Sequence, residues 1–262
     1  QLKMTDEENL SAIYDSVKFL KDQGLKVFYD AEHFFDGFKD NPKYAIRCLK
    51  KAAQAGADCL VLCDTNGGCL PAQTLDIVKQ VKESISNEKL GIHCHNDSGC
   101  AVGNSLIVSE LVDHVQGTIN GVGERCGNAD LCQLMPDMAI KQGVNMNADI
   151  SKLKEVSDRF NILANLRPVD NQPFVGKNAF SHKGGVHVDA VSKGASYEHV
   201  DPNKVGNARK IILSDLSGSA NIVEALKDFG IETDKKDSRV KKMLSEVKDL
   251  EKKGYDIGDL KA

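Results

Sequence analysis

A chain of 262 residues with 41% hydrophobic content can bury one sizeable core or two modest ones. A formal charge of -4, 5% aromatic residues and no Trp give neither a basic field nor a stacking platform, which excludes nucleic acid and an anionic membrane as partners. No apolar run is long enough to span a bilayer, and Gln1 opens no signal-peptide pattern.

Residues 6–22 read as an amphipathic helix, with Leu10, Ile13, Val17 and Leu20 on one face and Gly24 as its stop. A strand follows in Lys26-Val27-Phe28-Tyr29-Asp30-Ala31, ending in Glu32-His33. Asn41-Pro42 starts a helix that runs to Gly56. Asp58-Cys59-Leu60-Val61-Leu62-Cys63 is a second strand, ending in Asp64-Thr65-Asn66. Pro71 opens the next helix, through about Ile85. Leu90-Gly91-Ile92-His93-Cys94-His95 is a third strand, and Ala101 to about Val112 the helix behind it. Val115 to Gly121 reads as a fourth strand, running into the loop Gly123-Glu124-Arg125-Cys126-Gly127-Asn128. Alternating helices and strands predict a parallel sheet.

The third strand carries the clearest chemistry. Two imidazoles at i and i+2 leave a strand on one face, which presents two nitrogen ligands to one divalent metal ion. The polar landmarks Glu32, Asp64, His95 and Asn128 lie 32, 31 and 33 residues apart. A βα unit of a parallel barrel needs about 30 residues, so this spacing places a polar group at the same end of each strand. In such barrels the active site occupies the C-terminal end of the strands.

After about residue 140 the pattern changes. Ser151 is expected to cap a helix running to about Leu166, followed by turn-rich Arg167-Pro168 and Asn171-Gln172-Pro173. A Gly- and His-rich stretch covers 175–189, and Lys235 to Lys253 reads as a solvated helix. Eight cysteines with no Cys-x-x-Cys predict reduced thiols and a cytoplasmic protein. The fold expected is α/β: the C-terminal half of a TIM barrel (1–140), a linker subdomain (141–200) and a small helical subdomain (201–262). Four βα units do not close an eight-stranded barrel, so a longer protein or another chain is expected to complete it.

The chain resembles the family of 2-isopropylmalate, homocitrate and citramalate synthases, metal-dependent barrel acyltransferases. The resemblance is carried by His93-Cys94-His95-Asn96-Asp97, by Gly123-Glu124-Arg125-Cys126-Gly127-Asn128 and by residues 179–189. Tyr29 to Gly37, Cys63 to Gly68 and Tyr197 to Pro202 are most similar to the citramalate branch. The resemblance implies His93, His95 and Asn128 as the metal site, and Glu32, His187 and Tyr197 as catalytic groups. It implies Thr65, Asn96, Glu124 and Gly127 as contacts for substrate or acetyl-CoA. It also implies a homodimer whose partner supplies the His187 and Tyr197 equivalents. The family's first-strand motif Asp-Thr-Thr-Leu-Arg-Asp-Gly is missing, so one metal-ligating Asp and a catalytic Arg are not in this sequence. Ser219 stands where relatives often carry Arg.

The implied reaction condenses acetyl-CoA with a 2-oxo acid and hydrolyses the thioester. Pyruvate is the first expectation, 2-oxoisovalerate the second and 2-oxoglutarate the third. Mn²⁺, Zn²⁺ and Mg²⁺ all suit imidazoles combined with oxygen donors. An aldolase or lyase acting on hydroxymethylglutaryl-CoA, and a catalytically incomplete fragment, are the readings from other classes.

Overall fold

The computed structural model describes residues 3–85, 88–182, 198–213, 217–227, 229–255 and 257. The chain divides into two units, Gln1–Met146 and Asn147–Ala262.

The first unit opens on α1 (Asp6–Asp22). Its start is fixed locally: the Thr5 hydroxyl accepts from the Glu8 N–H, and the Glu8 carboxylate accepts from the Thr5 N–H at 2.7 Å. Leu10 and Val17 are buried, whereas Leu20 is largely exposed, so the apolar stripe is narrower than its periodicity suggests. The strands follow as β1 (Phe28–Ala31), β2 (Cys59–Asp64), β3 (Leu90–Cys94) and β4 (His114–Gln116). They pair in parallel in the order β1-β2-β3-β4, as the alternating pattern predicts. Between them lie α2 (Phe34–Asp40), α3 (Pro42–Gln54), α4 (Pro71–Ser84) and α5 (Ala101–Val108). Helix α2 is absent from the sequence reading because it is a bare two turns. It is held by buried Phe34, Phe35 and Phe38 rather than by a periodic stripe. Helix α5 stops four residues before the expected Val112.

Side-chain alternation divides the sheet into two layers. Leu60, Leu62, Leu90 and Ile92 join the helices in the main core and are fully buried. Cys59, Val61 and Cys63 form a separate buried cluster on the opposite face. Every residue of β2 is buried, which is why it reads as a continuous apolar run.

The sheet is strongly curled toward that second face. In a flat sheet β1 and β4, three strand spacings apart, would stand about 14 Å from each other. Instead the Phe28 and His114 rings meet edge to face at 4.9 Å, and Gln116 Nε2 donates to Asp30 Oδ1 at 3.3 Å. Gly91 permits this curl. A Cβ there would stand 3.0 Å from Val61 Cγ2, 3.3 Å from the His114 ring and 3.4 Å from Cys59 Sγ. Beyond β4 the chain makes a 3-10 turn (Ile119–Gly121), then α6 (Leu131–Pro136), continued by a wider π turn (Asp137–Lys141).

The second unit contains α7 (Leu153–Leu163), a two-stranded parallel pair β5 (Ser181–His182) and β6 (Lys210–Ile211), α8 (Ser219–Lys227) and α9 (Ser238–Lys252). A 3-10 turn leads into α7, and it is Asp149, not Ser151, that accepts the capping bond, from the Ser151 N–H. Leu213, Ile222, Val223 and Val240 form a small core. No helix among the described residues is long and apolar enough to cross a membrane.

Gly91→Val is expected to lower stability by about 1–3 kcal/mol, because three neighbours must give way at once. Urea denaturation checks this, and an unchanged midpoint would show that the curl does not depend on the missing side chain.

Candidate active site

Glu32, Thr65 and His95 each stand one residue beyond the C-terminal end of successive parallel strands β1, β2 and β3. That common end follows from the topology alone. Asn128 arrives differently. Strand β4 ends at Gln116, and Asn128 lies on the returning loop, where it pairs antiparallel with His95. Two backbone bonds make that pairing, Asn96 N–H to Gly127 O at 2.9 Å and Ala129 N–H to Cys94 O at 3.0 Å. The even spacing from His95 to Asn128 therefore does not mark a fourth strand end.

Loop and strand bring the predicted metal residues together. The His93 and His95 rings stand 5.2 Å apart. The Asn128 amide nitrogen lies 3.1 Å from His93 Nε2 and 3.5 Å from His95 Nε2. An amide nitrogen only donates, so both Nε2 atoms face it as unprotonated acceptors. Two imidazole nitrogens therefore face one point, and imidazole is a donor type that borderline divalent cations prefer. Asn128 turns its nitrogen, not its oxygen, to that point, so serving as a ligand requires the opposite face of the amide. Gly123 is needed for this packing, since a Cβ there would overlap Asn128 Oδ1. Among the described residues no three His, Cys, Asp or Glu side chains converge as a metal cluster. The chain thus offers two imidazoles and an amide.

His95 is held in the neutral state. Burial lowers its pKa most, the neighbouring His93 and Arg125 lower it further, and Asp97 and Glu32 pull it partly back. Its Nδ1 is buried and finds no partner among the described residues.

Glu32 is exposed and fixed by a chain of two bonds. The His33 N–H donates to Thr65 Oγ1 at 2.7 Å, which directs the Thr65 hydroxyl proton to Glu32 Oε2, also at 2.7 Å. His33 takes a left-handed conformation to make this turn, with φ 55°. Arg125 braces the same end: it binds both carboxylate oxygens of Asp97 at 2.8 and 3.0 Å and the Thr65 carbonyl at 2.6 Å.

Other expected residues have visible structural work. Asp64 is buried, and its carboxylate accepts from the Gly68 and Cys69 N–H groups, away from the histidines. Asn96 Oδ1 accepts from the Ala101 N–H at the start of α5. The Gly127 N–H is spent within its own turn, on Glu124 O, while the Glu124 side chain is exposed. His187 and Tyr197 lie outside the described residues. All eight thiols are free, with Cys126 exposed, and burial pushes those of Cys94 and Cys132 up to about 12. Sequence reading missed Gln116, Asp30 and the Arg125–Asp97 pair, although alternation along β1 and β4 places Asp30 and Gln116 on the face that His93 shares.

A parallel β/α sheet with polar groups gathered at its C-terminal strand ends is the architecture of a TIM-barrel enzyme. The chain belongs to the HMGL-like family, which matches residues 1–159, and residues 174–255 match a homocitrate synthase post-HMGL domain-like region. It is 50% identical over 259 residues to (R)-citramalate synthase of Sulfolobus acidocaldarius, covering 97% of this chain and 49% of that protein. It is 35% identical over 263 residues to 2-isopropylmalate synthase of Methanocaldococcus jannaschii, covering 99% of this chain and 50% of that protein. The chain spans about half the length of these curated relatives. Hydroxymethylglutaryl-CoA lyase from Pseudomonas aeruginosa shares the fold, with a TM-score of 0.55 and 16% identity over 63% of this chain and 58% of that one.

The lowered His95 pKa has a definite sign. The unfolded chain takes up the proton near pH 6.5, whereas the folded site resists it. The stability contributed by neutral His95 is thus present above that pH and lost as pH falls through the lower folded value. NMR titration should give a His95 midpoint below about 6.5; one at or above it would mean that the imidazole is not desolvated.

Proposed function

We propose that this chain serves an acyltransferase that condenses acetyl-CoA with pyruvate to give (R)-citramalate. The observation that carries this reading is the convergence of His93 and His95 beside Glu32 in a chain half identical to (R)-citramalate synthase. In the reaction a bond forms between the acetyl methyl carbon and the keto carbon of pyruvate. The methyl proton leaves to a base, the keto oxygen becomes a hydroxyl, and water cleaves the thioester to release CoA.

The residues divide the work. Glu32, its carboxylate oriented by the Thr65 hydroxyl, takes the methyl proton. Arg125, locked to Asp97 and to the Thr65 carbonyl, keeps Thr65 in place. His93, His95 and Asn128 are the proposed seat of a divalent cation. When bound, such an ion supplies a Lewis acid that polarises the keto group and offsets the charge developing on its oxygen. Neutral imidazoles are the protonation state such a site requires. Thr65, Asn96, Glu124 and Gly127 are proposed to face the substrates. His187 and Tyr197 are proposed to assist proton transfer from a second subunit of a homodimer. The 35% identity to 2-isopropylmalate synthase makes 2-oxoisovalerate the second candidate substrate.

CoA release by the full-length protein, with acetyl-CoA, Mn²⁺ and each 2-oxo acid in turn, tests the reading. Release with pyruvate alone is expected. Release with 2-oxoisovalerate alone would move the protein to the isopropylmalate branch, and none with any 2-oxo acid would sink the acyltransferase. Glu32→Gln is expected to lower kcat about 10²–10⁴-fold with little change in the KM for pyruvate. His95→Ala should abolish Mn²⁺ binding measured by calorimetry.

A further inference from the structure

The two histidines at the converging point are held in different ways. Among the described residues the buried His95 Nδ1 has no partner, and its Nε2 stands 3.5 Å from Asn128. His93 Nδ1 stands 2.8 Å from Gln116 Oε1, and its Nε2 only 3.1 Å from Asn128. Gln116 reaches His93 because β3 and β4 run parallel with these two residues in register, so their side chains share a face.

An amide is two-faced, and by itself would accept from one imidazole tautomer or donate to the other. Asp30 removes that choice. Its carboxylate can only accept, and Gln116 Nε2 donates to Asp30 Oδ1 at 3.3 Å. The Gln116 oxygen is thereby aimed at His93, where it accepts the Nδ1 proton. His93 Nε2 is left as a lone pair facing the point shared with His95. The chain Asp30–Gln116–His93 runs from β1 to β4 to β3 across the concave face, so it exists only because the sheet is curled.

We propose that Gln116, oriented by Asp30, is a positioning residue that fixes His93 as its Nδ1–H tautomer and sets the affinity of the histidine pair for a divalent cation. The affinity half of this rests on the cation-binding reading above; the tautomer half does not. Outer partners of ligating histidines commonly contribute 10–100-fold in metal affinity.

The test uses the full-length protein with ¹⁵N-labelled histidine, reading the His93 tautomer by NMR without metal and Mn²⁺ affinity by calorimetry. Gln116→Leu is expected to mix the His93 tautomers and weaken Mn²⁺ binding about 10–100-fold. The exchanged pair Asp30→Asn with Gln116→Glu keeps an acceptor toward His93 and a donor toward position 116. It should restore both readouts, which a merely misfolded site would not. If the wild type binds Mn²⁺ and Gln116→Leu changes neither tautomer nor affinity, this proposal is overturned while the proposed function stands. If the wild type binds no Mn²⁺, the cation site fails, and the affinity half of the proposal with it. A tautomer shift in Gln116→Leu would still uphold the positioning of His93.

Discussion

The site depends on one short backbone interaction, the antiparallel pairing of the returning loop with the end of β3. Two bonds make it, from the Asn96 and Ala129 N–H groups to the Gly127 and Cys94 carbonyls, and they set His95 opposite Asn128. Without it Asn128 has no reason to lie beside the two imidazoles. The pairing requires the loop to turn back sharply. Asn120 and Arg125 accept left-handed backbone conformations to do so, each at φ below 60°. Strain of this kind is tolerated where surrounding bonds over-determine the geometry. Here Arg125 is over-determined by its bidentate grip on Asp97 and its bond to Thr65 O. One side chain thus braces its own strained backbone and the loops after β2 and β3.

The second constraint is curvature. Parallel strands place functional groups at one end, but only a curled sheet lets β1 and β4 reach across β2 and β3 to touch. The Phe28–His114 contact and the Asp30–Gln116 bond are two rungs of that crossing, spaced two residues apart on each strand. The apolar rung lies deeper in the strands; the polar rung lies at the end where the histidines sit. Packing below and hydrogen bonding above are therefore set by the same alternation. A change at Gly91 acts on the lower rung directly and on the upper one through the strand.

Much of this was legible in the sequence. Period and punctuation gave α1, α3, α4 and three of the parallel strands, because Pro at a helix start and buried β-runs are local signals; the fourth, expected over Val115–Gly121, is only His114–Gln116, and Ile119–Gly121 turns as a 3-10 helix instead. The histidine pair and Glu32 were legible because a strand end is a short-range feature. The rest depends on contacts distant along the chain. Asp30 and Gln116 are 86 positions apart, and nothing local marks either as a partner of His93. Asp64 had the right spacing yet faces the helix side, since a landmark read only by interval carries no sense of which way a side chain points. Helix α2 was missed because its three buried aromatic residues are too closely spaced to show a period.

Charge gives the last step. The strand ends gather Glu32 and Asp97 around two imidazoles, one of which burial keeps neutral. Arg125 brings a guanidinium to the same place, but both oxygens of Asp97 already engage it. Taken by themselves these groups leave Glu32 uncompensated, so the local field resists an anion. A 2-oxo acid is an anion, and the proposed condensation builds further negative charge on its keto oxygen. Binding and chemistry both therefore demand positive charge at the point where the lone pairs of His93 and His95 converge. Imidazoles that bind through a lone pair attract a cation without cancelling its charge, as carboxylates in the same place would. His at both positions suits the proposed function: the proposed seat would hold a divalent ion and leave most of its charge to the substrate.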